Sequence, residues 1–218
     1  MGRKEEAIAL FEGRAAMGGW PEEVYFSQFQ AGVLKAETGD WPGAMDAFVH
    51  AWETRPQRLE ACYQLCSRLR SMGHYRAAHA FASAGLDQPV PDDLLFVSPW
   101  VYRWGLLFEF SITAYCVGDW EGSYQACDRL LAMPDLPEAI RKQTLANREF
   151  PAQHLSKVWT SFGRWHAPAG AWAGVKFPPD FHAATMVSAG SSPRSSTARA
   201  PSCSAAVRTV RKARAALG

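Results

Sequence analysis

The chain has 218 residues, of which 48% are hydrophobic and 20% charged, as in an ordinary globular protein of one or two domains. Five cysteines, an odd number, argue against a disulfide framework and favour a reducing cytoplasm. The net charge of +2 is uneven. Residues 151–218 hold nine Lys or Arg and one acid, a balance of +8, which leaves fourteen basic and twenty acidic residues, or −6, in 1–150.

The N-terminal part is predicted to be helical. Apolar residues at helical spacing predict a helix over residues 5–17, which Gly18 and Gly19 end. A second helix is predicted from Pro21 to about residue 38, because proline suits the first turn of a helix.

The next stretch, residues 39–56, carries the clearest pattern in the chain. It places a glycine, two aromatic residues, two alanines and a proline at the offsets of the second helix in a 34-residue helix-turn-helix repeat: Gly39, Trp41, Ala44, Phe48, Ala51 and Pro56. The glycine is predicted to turn the corner between two helices, the alanines to let them approach closely, and the aromatic rings to fill the space between them.

Two further copies of the pattern follow. Gly73 comes 34 residues after Gly39, and a helix is predicted before it over about residues 57–71. Gly118 comes 45 residues after Gly73, so eleven residues are inserted. We expect the insertion to form an ordered loop around residues 87–99, because that stretch is rich in Pro and Asp.

The pattern continues to about residue 155. A nearly all-apolar helix is predicted over residues 100–117, and a closing helix with one charged side over 136–155, with Pro151 as a candidate break. The predicted fold class is all-α: a short α-solenoid of antiparallel helix pairs over residues 1–155. Residues 156–218 are predicted to be a low-complexity basic tail without stable structure.

The candidate binding residues lie on one face of the predicted helix 57–71. Glu60, Tyr63, Ser67 and Arg70 share the face that is concave in arrays of this kind. Two interpretations stay open. These side chains contact a ligand, or they form an ordinary solvated helix face.

No catalytic residue, metal ligand or cofactor site is predicted. Cys62 and Cys66, with His74 and His79 downstream, have the wrong spacing for a compact zinc finger, and core cysteines are the favoured interpretation. The adjacent pair at 92–93, two aspartates, is compatible with catalytic carboxylates, but a capping or turn role is favoured. Nucleotide-binding, acyl-transfer and D-x-D metal motifs do not occur in the sequence.

Neither a membrane nor a nucleic acid is an expected partner. The most apolar stretch, residues 101–118, contains Arg103 and Glu109 and is short for a membrane span. The basic tail could hold phosphates, but it lacks interleaved aromatic residues. Anion binding through this tail is kept as an alternative function; the residues concerned are Arg194, Arg199, Arg208, Arg211, Lys212 and Arg214.

Two families resemble this chain. The units at 39–56 and 73–84 resemble tetratricopeptide repeats. Over about residues 1–152, the chain also resembles the helical region that follows the catalytic domain in some bacterial family 2 glycosyltransferases; the segments that carry this likeness are 17–27, 39–56, 91–115, 118–131 and 145–150. The nucleotide-sugar fold and acidic metal motif of those enzymes do not occur here, so no catalytic residue is carried over.

The resemblance implies a non-catalytic interaction module, an accessory region or fragment of a glycosyltransferase. It would bind a protein segment or a glycan acceptor on its concave face, in the cytoplasm. The alternative is a glycosyltransferase in its own right that acts through an unrecognised site. The oligomeric state is not predicted.

Overall fold

The fold was obtained as a computed structural model, which describes residues 2–162 and, for side chains, residues 2–155. The described part is all-α, as predicted, and contains no strand. Its eight helices are α1 (Gly2–Ala16), α2 (Pro21–Thr38), α3 (Trp41–Thr54), α4 (Glu60–Ser71), α5 (Tyr75–Ala84), α6 (Leu106–Val117), α7 (Trp120–Leu131) and α8 (Glu138–Phe162). The predicted tail lies outside the described residues, apart from the last turns of α8.

Glycine turns the chain at the three predicted corners. Gly39, Gly73 and Gly118 have φ angles of 90°, 87° and 92°, a left-handed conformation that other residues adopt only with strain. At two corners the next helix begins with an aspartate cap. Asp40 accepts a hydrogen bond from Gly43 N at 3.0 Å, and Asp119 accepts one from Gly122 N at 2.9 Å.

The helices pack in chain order, each against the next from α1 to α8, with α6 reached through a π-helical turn. The even-numbered helices also contact one another in succession. The Tyr25 hydroxyl of α2 donates to Glu60 of α4 at 3.1 Å, and α6 contacts both α4 and α8. On the other side, the Trp52 ring of α3 lies 5.9 Å from the Phe81 ring of α5.

The repeat positions form the core of the first helix pairs. Ala44, Ala51 and Ala78 are buried, so the helices approach closely. The ring of Phe48 fills the space beside Gly32, where an added Cβ would lie 2.7 Å from that ring. This arrangement confirms the predicted roles of the alanines and of Phe48, whereas Trp41 is only partly buried.

Two helices differ from prediction. The helix predicted over 100–117 begins with a π-helical turn, Val101–Gly105. α8 continues through Pro151 to Phe162, so the candidate break does not occur. Pro151 is fully buried, so its ring packs in the interior although proline leaves one backbone hydrogen bond of the helix unmade. None of the helices in the described part combines the length and apolarity needed to cross a bilayer.

Candidate functional site

Three of the four predicted binding residues lie inside the protein. Glu60, Ser67 and Arg70 are buried, and only Tyr63 is partly open to solvent. The expectation of an accessible face is therefore corrected at three positions. The physical reason is that this face of α4 packs against its neighbours α2 and α6, so its polar side chains are used in contacts between helices.

Arg70 joins α4 to α6 through a buried ion pair. Its guanidinium donates to both carboxylate oxygens of Glu109, at 2.5 Å and 3.0 Å. Burial alone would lower the pKa of Arg70, but the charge of Glu109, its hydrogen bonds to the guanidinium and the nearby Cys66 and Tyr63 together raise the pKa above its ordinary value. The pair is a structural link, because each charge satisfies the other away from water.

Glu60 is the centre of a second buried network. Arg58 donates to its carboxylate at 3.0 Å and 3.3 Å. The hydroxyls of Tyr25 and Tyr102 each donate to it at 3.1 Å. Burial, followed by the charge of Glu60, raises the pKa of Tyr25 far above its ordinary value, so that hydroxyl stays a donor. The network joins α2, α4 and the π-helical turn.

An aromatic cluster lies between α4 and the residues that lead into α6. The rings of Tyr63 and Trp100 meet edge to face with their centroids 4.9 Å apart. Trp104 lies 5.1 Å from Trp100 at an angle of 36°. Trp100 is 38% exposed, and the other two side chains are partly buried. We call Tyr63, Trp100 and Trp104 the aromatic cluster. Rings of this kind supply rigid, amphipathic contact area at binding surfaces.

The backbone beneath the cluster is irregular. The π-helical turn Val101–Gly105 lies directly after Trp100, and such turns occur frequently at functional sites. Gly105 makes room for the indole: an added Cβ there would lie 2.7 Å from the Trp100 ring. The ring therefore packs on bare backbone, which fixes its position.

The residues considered as metal ligands have other roles in the structure. Cys62 and Cys66 are buried free thiols, and burial raises the pKa of Cys62 to about 12, so both are core cysteines as favoured. His79 contacts the Phe110 ring at 5.0 Å. Within the described residues, no three His, Cys, Asp or Glu side chains form a metal-binding group.

Asp93 also has a structural partner. Its carboxylate forms ion pairs with Arg55 and Arg58, the latter at 3.3 Å. It therefore fastens the inserted loop to the segment before α4. Asp92 beside it is exposed.

Sequence reasoning missed the two tryptophans of the cluster and the role of Glu109. Trp100 and Trp104 are spaced four residues apart, and that spacing was the available signal for a shared helix face. Glu109 is the one acid in an apolar helix, which signals a buried partner such as Arg70.

The chain matches no family model, no curated protein and no solved structure.

Proposed function

We propose that the chain is a short α-solenoid interaction module of the tetratricopeptide type that binds its partner at the aromatic cluster. The partner is a protein segment or a glycan acceptor, the two classes implied by the resemblance to the region beside glycosyltransferase catalytic domains. Three features support a solenoid: packing in chain order, contacts between successive even-numbered helices, and a left-handed glycine at three corners.

The observation that carries the proposal is the partly open cluster of Tyr63, Trp100 and Trp104. It lies on the layer of even-numbered helices. The buried polar side chains of that layer bind one another, as Glu60 binds Tyr25 and Arg70 binds Glu109. Because its rings are already held in place, binding requires little further ordering of side chains. The pre-formed surface thus offers aromatic contact area to a partner.

Paired arrays of peptides and oligosaccharides test this function. We expect wild-type protein to retain members of one class, and the double variant Trp100→Ala/Trp104→Ala to lose them. Gly105→Ala should weaken binding with every aromatic side chain still present, because the added methyl group displaces Trp100. Trp20→Ala is the matched control, since Trp20 is 43% exposed and precedes α2. Ligands retained equally by all four proteins, or by none, would contradict the proposal.

A further inference from the structure

The inserted loop presents an exposed edge formed by Asp92, Leu94 and Phe96. These three alternate residues are exposed, and the two apolar ones are 82% and 69% accessible. The residues between them, Asp93 and Leu95, face inward and are partly buried. An alternation of this kind is the pattern of an extended segment with one side on the protein and the other in solvent.

The backbone of this segment is held by three charged side chains, one from α2, one from the segment before α4 and one from α4. Glu22 accepts hydrogen bonds from the amides of Leu94 and Leu95, at 2.8 Å and 3.0 Å. On the other side, Arg58 donates to the carbonyl oxygens of Leu95 at 3.0 Å and of Phe96 at 3.3 Å. A third contact, from the Ser98 amide to Glu60 at 2.8 Å, closes the segment. The loop is therefore already ordered in the folded protein, and binding a partner costs little further conformational entropy.

Phe96 is held in a conformation that a free chain would avoid. Its φ angle is 48°, in the left-handed region that L-residues with a side chain rarely adopt. Its ring stacks on Phe26 of α2 with centroids 4.6 Å apart, and Phe26 in turn meets Phe11 of α1. The direction of the exposed ring is thus fixed from beneath. Strained residues of this kind concentrate at functional sites.

The charge around the edge is negative. In the described part of the chain, the edge and the side chains bonded to it hold four carboxylates, those of Glu22, Glu60, Asp92 and Asp93, and two guanidinium groups, those of Arg55 and Arg58, a formal charge of −2. Among the described residues, Asp92 forms no ion pair, so its carboxylate is available to a partner. A basic group opposite this edge would be attracted, and an anionic surface would be repelled.

We propose that Asp92, Leu94 and Phe96 form a second docking surface, separate from the aromatic cluster, for a polypeptide segment that combines large apolar residues with Lys or Arg. The apolar residues of the partner cover Leu94 and Phe96, and its cation pairs with Asp92. Glu22 and Arg58 already bind main-chain groups of this edge. A partner is therefore recognised through the side chains of the edge.

A phage-displayed library of random linear peptides, selected on the full chain, tests this surface. We expect enriched peptides rich in apolar and basic residues. Their affinity should fall at least about tenfold on the double variant Leu94→Ser/Phe96→Ser and change less than about twofold on Leu145→Ser, which removes an exposed leucine from α8. Asp92→Asn should weaken binding at low salt, and the difference should shrink as salt rises. Circular dichroism melting curves check that each variant is folded.

Several results would overturn the proposal. Selected peptides that bind Leu94→Ser/Phe96→Ser as well as wild type would place the surface elsewhere, and so would a library without any peptide that depends on these residues. Enriched peptides without basic residues would refute the role of Asp92. If the double variant lost only self-association in sedimentation, or only binding to phosphatidylcholine–phosphatidylserine vesicles, the edge would belong to a dimer or a membrane contact. The Trp100→Ala/Trp104→Ala variant should bind these peptides normally, which separates this test from that of the aromatic cluster.

Discussion

Arg58 pairs with two buried carboxylates beside the inserted loop. Its guanidinium contacts the carboxylates of Glu60 and Asp93 and two loop carbonyl oxygens. The substitution Arg58→Met would leave the buried charge of Glu60 without its cation. We expect urea unfolding to show a loss of roughly 3–5 kcal/mol, the usual effect of breaking a buried pair.

The control for this substitution is Arg76→Met, which removes an arginine from an exposed position on α5. Its free energy of unfolding should stay within about 0.5 kcal/mol of wild type. Equal losses in the two variants would show that the network around Arg58 does not stabilise the fold.

His79 makes stability depend on pH. Burial lowers its pKa below the ordinary value of 6.5, and the charge of Asp119 counters this only in part. Because the folded protein prefers the neutral imidazole, this contribution is full above about pH 6.5 and is lost as pH falls through the lower folded pKa. Below pH 6.5, we expect the free energy of unfolding to fall more steeply for wild type than for His79→Gln. Equal dependence of the free energy of unfolding on pH in wild type and His79→Gln would contradict this. The control is His50→Gln, which replaces an exposed histidine.

The glycine corners determine how each helix pair is joined. At Gly39, φ is 90° and an added Cβ would meet no atom within 4 Å, so the substitution Gly39→Ala strains the backbone and nothing else. We expect it to destabilise the protein by roughly 1–2 kcal/mol in chemical denaturation, the cost of the left-handed conformation for an L-residue.

Gly13 provides the opposite case within the same chain. It lies inside α1, an added Cβ there also meets open space, and its φ angle is not positive. Gly13→Ala should therefore stabilise the protein by up to about 1 kcal/mol, because alanine favours the helix. If Gly39→Ala proved as harmless as Gly13→Ala, the corner would not need glycine.

The helices could be predicted from local pattern, since glycine corners and small repeat positions act within a few residues of one another. The irregular start of the α6 segment could not be, because the π-helical turn Val101–Gly105 depends on packing between Trp100 and Gly105. The same limit applies to Pro151, whose burial in α8 keeps a helix intact that local rules would break.

The site was predictable only in part. The face of α4 was identified, and Tyr63 does lie in the aromatic cluster. Its polar neighbours Glu60 and Arg70 were predicted as candidate ligand contacts, whereas they pair with Arg58 and Glu109. Glu109 lies 39 residues from Arg70, and Glu60 also accepts hydrogen bonds from Tyr25 and Tyr102. Spacing within one helix carries no information about such contacts between helices.

Taken as a whole, the proposed solenoid is a row of helix pairs in which each unit is stabilised mainly by its neighbours. The centre of the row, α4 to α6, holds both a buried ion pair and a cluster of buried apolar residues. By contrast, α1 has no buried residue and packs chiefly on α2. In a proposed solenoid of this kind, the ends should open more easily than the middle.

Native-state hydrogen exchange of the full chain, resolved to single helices, tests that architecture most directly. We expect amides of α1 to exchange through local opening well before those of α4 and α6, and the order of protection to follow position along the row. If the amides of α1 and α6 exchanged together in one global unfolding event, the proposed linear array of neighbour-stabilised helix pairs would be wrong.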